Sequence, residues 1–254
     1  MPPPYLIPQW NQFLAIPHRP QGHVGVSPST WANRFHLSGI PNVRQLPNHQ
    51  LDRLAVRAIC TNPAEHVLYG YVCVMAWGGQ GSGYGRQQVT MAWGASRTIA
   101  AHLTILRGGG LTRRDAYNLF CGAGAIPGLG PSFFTKLLYF FTPKPMDCYI
   151  MDPWTAKSVN LLTWTQIVMM PGDTPSRINK GGNYQVFCEE IDEMARLVGC
   201  PGQEVEERLF SQGGRHPWPW RNHMRGLTRL LQTLPAYDAH AMHATYPHIP
   251  VTEF

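Results

Sequence analysis

Charged residues are scarce in this chain. Asp, Glu, Lys and Arg make up 14% of the 254 residues, whereas hydrophobic residues make up 44%. An average soluble domain carries about 25% charged residues, and intrinsic disorder requires high charge with low hydrophobicity. We therefore expect a folded protein with a sizeable core, built as one large domain or two small ones.

Long apolar runs are also missing. No stretch approaches the ~18 residues that a membrane-spanning helix needs. The first ten residues, MPPPYLIPQW, lack the charged start and the apolar middle of a signal peptide. We therefore expect a cytoplasmic protein without membrane attachment.

Closely spaced cysteines are absent as well. The six cysteines contain no CxxC pair and have apolar neighbours, as Cys73 has in YGYVCVMAW. We expect reduced thiols in a core. His216 and His223 are too isolated to indicate zinc. The sequence thus predicts no metal site and no cofactor.

Lysine is the scarcer of the two basic residues. The chain has 4 Lys and 17 Arg against 15 acidic residues, for a net charge of +6. Guanidinium forks bind phosphate oxygens better than ammonium groups do. The balance is compatible with a nucleic-acid partner, although many basic proteins bind no nucleic acid.

Helical patterns dominate from residue 49 onward, and strand signals are few. We predict an all-α protein with residues 49–234 as its main domain, residues 1–48 as a proline-rich N-terminal wrap and residues 235–254 as a C-terminal tail. The predicted helices include one over residues 67–77, one that Ser96 caps and that runs to Leu106, and an acidic one with a solvated face over residues 184–198.

Residues 126–141, IPGLGPSFFTKLLYFF, join a glycine-proline turn to an apolar helix. Lys136 lies four residues after Ser132 and therefore on the same helical face. Asp152 opens another helix 22 residues after Gly130, where the helix dipole stabilises its carboxylate. Taken alone, the glycine-proline turn is usually only a structural cap, and the aspartate is usually only an N-cap.

Together, these features resemble the helix-hairpin-helix DNA glycosylases, whose signature is an apolar-Pro-Gly-apolar-Gly turn followed at this spacing by an aspartate. The segments GPSFFTKLLYF, IMDPWTAKSV and EVEERLFSQGG are similar to the bacterial 8-oxoguanine-DNA-glycosylase-like group. The resemblance covers residues 50–215. It implies the family's all-α fold, with helical lobes flanking a cleft and the hairpin over residues 122–141.

The resemblance also implies a mechanism. The hairpin backbone at Gly128, Leu129, Gly130 and Ser132 holds a phosphate of double-stranded DNA without reading its sequence, and the target base is flipped out of the duplex. Asp152 stabilises the positive charge that develops on the sugar, or orients an attacking water. A lysine amine can instead attack the sugar and form a Schiff base, which adds lyase activity at the abasic site.

Lys136 departs from the pattern of the oxidised-guanine enzymes. Their nucleophilic lysine lies at the second residue after the last hairpin glycine, where this chain has Ser132. Lys136 lies one turn further along the same face. It either acts as the nucleophile or has a structural role, binding phosphate or extending out of an apolar helix.

The glycine-rich stretch WGGQGSGYG, residues 77–85, is predicted to be a loop. It is either a flexible connection whose aromatic residues cover the core or a functional loop, in which Trp77, Gln80 and Tyr84 line the base pocket or fill the gap that the flipped base leaves. Trp154 is predicted to belong to the core.

The identity of the base is the least determined property. The family name suggests 8-oxoguanine, and some relatives remove glucosylated hydroxymethylcytosine from phage DNA in antiviral defence. We favour the cytosine because Ser132 replaces the expected lysine and because the loop over residues 78–85 leaves room for an attached sugar. Gln80, Gln87 and Gln88 can hydrogen-bond the hydroxyls of that sugar.

Two other classes of function compete with a glycosylase. A non-catalytic module that grips DNA needs the hairpin but not Asp152. A helical interaction protein needs neither, and the hairpin is then accidental. For the glycosylase we expect a monomer.

Overall fold

A computed structural model describes residues 5, 7–17, 22–40, 45–79, 86–211, 218–227, 231 and 233–236. Within these residues the all-α prediction is confirmed, since they form twelve α-helices and no β-strand beyond one bridge between Gln166 and Ala236. The helices are α1 (Ile7–Leu14), α2 (Pro28–Arg34), α3 (Arg53–Thr61), α4 (Val67–Trp77), α5 (Arg86–Gly94), α6 (Ser96–Gly108), α7 (Arg113–Asn118), α8 (Pro131–Phe141), α9 (Pro153–Leu162), α10 (Gly181–Val198), α11 (Gly202–Phe210) and α12 (Pro219–Gly226).

Helix α4 is the centre of a first group of helices. Every residue from Val67 to Trp77 is buried, so the helix is apolar around its whole circumference, as a helix surrounded by others must be. It packs against α2, α3, α6 and α8. Its bounds are those predicted from the sequence.

Helix α10 is the centre of a second group, in which it packs against α7, α9 and α11. It ends at Gly199, which adopts the left-handed conformation at φ 74° that favours glycine after a helix. Helix α8 joins the groups, because it contacts α7 as well as α3, α4 and α6. The apolar helix after the hairpin is thus a central element of the core.

The acidic residues of α10 are not simply solvated, which corrects the prediction. Asp192 accepts hydrogen bonds from Arg113 at 2.5 Å and from the Tyr149 hydroxyl at 2.6 Å. Glu190 accepts one from the Tyr5 hydroxyl at 3.1 Å. These partners are distant in the sequence, so a local pattern could not show them.

Two helix starts differ from the prediction. Ser96 is the first residue of α6 and not its cap, since the N-cap is Ala95, which makes no side-chain capping bond. Helix α10 begins at Gly181, before the predicted start at residue 184, because the Asn183 side chain accepts a hydrogen bond from the Lys180 N–H at 3.0 Å.

The proline-rich N-terminal segment contains α1 and α2 and contributes to the core. Trp10, Phe13 and Trp31 are buried in it. The Ser27 side chain caps α2, and the first position of that helix tolerates Pro28. The helices of this segment were not predicted, and its division from the main domain remains a prediction.

No helix in the described ranges is long and apolar enough to cross a membrane. All six cysteines lie in those ranges and are free, and four of them are buried.

Candidate active site

A cavity of about 550 Å³ lies between the two groups of helices, a volume typical of ligand sites. Lys136 on α8 and Asp152 before α9 both line it. The hairpin residues Gly128, Gly130 and Ser132 line it as well. The structure therefore brings the two predicted catalytic side chains and the predicted phosphate-binding turn together around one space.

Asp152 is the N-cap of α9. Its Oδ1 accepts hydrogen bonds from the N–H of Trp154 at 2.7 Å and of Thr155 at 2.9 Å. The Thr155 hydroxyl in turn accepts from the Asp152 N–H at 2.9 Å, which completes a capping box. Within the described residues, every hydrogen bond to the carboxylate reaches Oδ1, so Oδ2 is the oxygen left for a ligand.

Opposing effects act on the Asp152 carboxylate, which is only 6% exposed. Burial raises its pKa, because the charged form loses hydration, and this effect is the largest. The positive charge of Lys136 and the N–H groups at the start of α9 lower the pKa and offset part of the cost. The side chain is thus held rigidly in an environment where a carboxylate interacts strongly with charge.

The Lys136 amine is hydrogen-bonded within its own helix, α8. Lys136 is 9% exposed, and its Nζ donates a hydrogen bond to the Ser132 carbonyl at 2.7 Å. Its aliphatic chain passes Gly78, where a Cβ would lie only 2.6 Å from Lys136 Cδ. Burial lowers the pKa of Lys136, and the Asp152 carboxylate partly opposes this effect.

The two hairpin glycines have different structural roles. Gly128 has φ 74°, and a Cβ there would lie 2.1 Å from the Gln88 carbonyl oxygen, so the turn itself requires glycine. Gly130 has an ordinary φ of −79° and is the N-cap residue of α8; within the described residues, a Cβ there meets nothing within 4 Å. The fold as described therefore does not require glycine at position 130.

The hairpin also leaves donors available. Among the described residues, the N–H groups of Gly130 and Ser132 have no hydrogen-bond acceptor, whereas the Leu129 N–H closes the turn on the Ile126 carbonyl at 3.2 Å. Leu129 is buried and anchors the turn. Free N–H groups at the start of a helix can bind an anion.

Arg177 supports the hairpin from the loop before α10, which the sequence did not indicate. Its Nη2 donates to the carbonyls of Ile126 and Leu129 at 2.6 Å each. The Leu129 carbonyl and the Gly130 N–H belong to one peptide group, so the guanidinium fixes the orientation of that N–H. Arg177 lies 48 residues or more from these partners in the sequence, and no local motif predicts such a contact.

A buried ion pair forms another part of the cavity wall. Arg53 on α3 donates to both carboxylate oxygens of Glu206 on α11, at 3.0 and 3.2 Å. Its guanidinium also lies over the rings of Trp77 and Tyr139. Burial raises the pKa of Glu206, and Arg53 opposes that shift. Glu206 lies in EVEERLFSQGG, one of the segments that carry the family resemblance, but its role in the site was not predicted.

The predicted base pocket is described only in part. Trp77 lines the cavity and its indole N–H donates to the His23 carbonyl at 3.2 Å. Gln80 and Tyr84 lie outside the described residues. Trp154 is half-buried: it packs against the core, as predicted, and it also lines the cavity.

No group of three or more His, Cys, Asp or Glu side chains that could hold a metal ion occurs in the part of the chain that the structure describes.

Comparison with known proteins gives one match. A family model described as "Putative 8-oxoguanine DNA glycosylase OGG-like protein" matches residues 18–210, well over half of the chain. No curated protein and no solved structure matches it. The matched segment contains the hairpin, Lys136 and Asp152, and it ends before α12. The chain belongs to the OGG-like family of DNA glycosylases.

Proposed function

We propose that the protein removes a modified base that has flipped out of double-stranded DNA into the cavity, and that Asp152 and Lys136 carry the reaction. One observation carries the proposal. A rigidly capped carboxylate before α9 and a buried amine on α8 line one cavity beside the hairpin, where the Gly130 and Ser132 N–H groups have no acceptor among the described residues.

The hairpin binds the DNA backbone in this proposal. The N–H groups of Gly130 and Ser132 donate to a phosphate oxygen, and the N-terminal end of α8 adds a favourable dipole. A phosphate contact of this kind positions the duplex but carries no sequence information.

Asp152 acts on the sugar. When the N-glycosidic bond breaks, its electron pair leaves with the base and positive charge develops on the sugar carbon. An ionised carboxylate held in place stabilises that charge without having to reorganise. Since α9 holds Oδ1, Oδ2 faces the sugar or an attacking water in this arrangement.

Lys136 supplies the nucleophile of a lyase route. Its neutral amine attacks the sugar carbon, and a C–N bond forms as the bond to the base breaks and its electron pair leaves with the base. The amine then loses a proton, and a Schiff base forms as the bond from the same carbon to the ring oxygen breaks and that oxygen takes up a proton. Burial favours the neutral amine that this step needs. If Lys136 remains protonated instead, water attacks and the enzyme only releases the base.

The first candidate substrate is 8-oxoguanine. The description of the family names 8-oxoguanine, and one lysine, Lys136, lines the cavity together with Asp152. It lies one helical turn after Ser132, which occupies the position where the oxidised-guanine enzymes have their nucleophilic lysine.

Glucosylated hydroxymethylcytosine is the second candidate, in a role in antiviral defence. Gly78 and Gly79 line the cavity without side chains, and a Cβ at Gly79 meets none of the described residues within 4 Å. The lack of side chains at this edge of the cavity suits a base with an attached sugar.

Matched duplexes that contain 8-oxoguanine, hydroxymethylcytosine, its glucosylated form or only normal bases test the proposal. Released base and abasic sites are measured for each duplex. Release of 8-oxoguanine alone supports the repair function, and release of the glucosylated base alone supports the defence function. No release from any modified duplex contradicts both.

A further inference from the structure

Helix α12 contributes a cation to the cavity although it lies beyond the segment that the family model matches. Arg221 on this helix lines the cavity together with Asp152 and Trp154. It is only 6% exposed, and the hairpin and both proposed catalytic residues lie on other elements.

The guanidinium of Arg221 is held firmly. Its Nε donates to the Ser211 carbonyl at 2.6 Å and its Nη2 to the Phe210 carbonyl at 2.5 Å. Its centre lies 4.1 Å from the ring centroid of Trp154, a favourable cation–π distance. Among the described residues, Nη1 has no acceptor. The Nη1 group of the Arg221 guanidinium is therefore available to bind a ligand.

The two guanidinium groups among the described residues that line the cavity are paired differently. Arg53 is hydrogen-bonded to the Glu206 carboxylate. No hydrogen bond joins Arg221 to Asp152 in the described structure. Burial lowers the pKa of Arg221 to about 10, which reflects the cost of placing this charge there. The Asp152 charge opposes this shift without a hydrogen bond, and a bound anion compensates the remaining cost of burying the guanidinium.

Two further cations surround the same indole ring. Arg225, four residues after Arg221 and therefore on the same face of α12, is exposed and lies 6.0 Å from the Trp154 ring centroid. Lys157 on α9 lies 5.1 Å from it and pairs with Asp173. Trp154 directly follows the first residue of the helix that Asp152 caps. Positive charge is thus concentrated at the wall of the cavity next to the proposed catalytic carboxylate.

We propose that Arg221 and Arg225 bind a backbone phosphate of the DNA strand that carries the flipped base, a phosphate distinct from the one at the hairpin. The inference rests on the proposed function, because it takes DNA as the ligand of the cavity. Arginine suits this task because its planar fork forms paired, charge-assisted hydrogen bonds with phosphate oxygens. Contacts on two separate elements, the hairpin and α12, hold the strand while one nucleotide leaves the stack.

The experiment measures equilibrium binding to a duplex with a tetrahydrofuran analogue of an abasic site, over a range of salt concentrations. This probe has no base to excise, so the result does not depend on glycosylase activity. The variants are Arg221→Met, which removes the charge, Arg221→Lys, which keeps it, and Arg225→Gln. Arg196→Gln is the matched control, because Arg196 is exposed on α10, pairs with Glu193 and does not line the cavity.

We expect Arg221→Met to weaken binding by roughly ten- to a hundredfold, as the loss of a charged hydrogen bond does. It should also lower the slope of log affinity against log salt by about 0.9, the value for one phosphate contact. Arg221→Lys should retain the slope, and Arg225→Gln should reduce both affinity and slope. Arg196→Gln should change neither quantity.

An unchanged salt slope in both Arg221→Met and Arg225→Gln would overturn the inference. Thermal unfolding identifies loss of the fold in Arg221→Met, and the exposed Arg225 then decides the outcome. If the wild-type protein binds the abasic duplex with the expected slopes but releases no modified base, the phosphate site stands and the proposed excision fails.

Discussion

At the residue scale, Asp152 combines a structural and a proposed chemical role. Its Oδ1 caps α9, and the carboxylate also lines the cavity with Lys136. The sequence predicted both the cap and the site, because the capping pattern is local and the distance from the hairpin matches the family signature. It could not predict the burial that raises the pKa of Asp152, since burial depends on helices that come together only in the fold.

The protonation state of Lys136 decides whether the enzyme is also a lyase. Borohydride reduction of a Schiff base crosslinks the protein to its substrate DNA, so wild type should be trapped and Lys136→Ala should not. Because burial lowers the pKa of this amine from its ordinary value of 10.5, trapping should rise with pH and reach half its maximum below 10.5. Quantifying the crosslinked band across a pH series checks this expectation.

The acid side of the same series reports on Asp152. Burial raises the pKa of this carboxylate above its ordinary 3.8, so the ionised form, and with it base release, should be lost as pH falls through a value above 3.8.

For the Lys136 prediction, base release by the wild type without any crosslink would show that water, not Lys136, is the nucleophile.

At the element scale, the two glycines of the hairpin have different roles: Gly128 is required by the fold, and Gly130 is proposed to serve DNA binding. Gly128 serves the fold through its positive φ and its close approach to Gln88, whereas Gly130 leaves open space on its Cβ side. The sequence predicted the turn, because Gly and Pro punctuate structure strongly. It could not distinguish the two glycines, because the distinction depends on where α5 lies.

A matched pair of substitutions tests this distinction. Gly130→Thr should leave the unfolding temperature nearly unchanged, since Thr caps helices about as well as Gly. It should weaken duplex binding equally for different DNA sequences, because the new side chain faces the phosphate. Gly128→Thr should destabilise the fold by more than about 1 kcal/mol, the cost of a strained backbone. Thermal unfolding and binding to two unrelated duplexes are measured for both variants.

Gly130→Thr binding as tightly as wild type would contradict the phosphate role of the hairpin. A change in preference between the two duplexes would also contradict it, because a phosphate contact carries no base information.

At the scale of the whole molecule, the all-α fold could be predicted from helical periodicity and from the apolar character of α4 and α8. The contacts that shape the site could not be predicted in the same way. Arg53 meets Glu206 across 153 residues of sequence, and Arg177 meets the hairpin across a loop. Such pairs depend on how the two groups of helices pack. The periodicity of one helix does not predict which other helices it will contact.

The structure shows where part of the molecule's positive charge lies. The net charge of +6 was compatible with many partners. The fold places Lys136, Arg221 and Arg225 around the cavity or at its wall, beside hairpin N–H groups that suit an anion. Charge placement, which composition cannot show, is therefore what supports DNA as the ligand.

The most direct test of the central claim is the single-turnover rate of base release by Asp152→Asn on the modified duplex that wild type cleaves. Asparagine caps a helix as well as aspartate does, so unfolding temperature and duplex binding should remain close to wild type. The rate of base release should fall by about two to three orders of magnitude, as expected when a preorganised charge is removed from a transition state. Release at nearly the wild-type rate would contradict the catalytic role of Asp152 and leave the carboxylate as a helix cap in a DNA-binding protein.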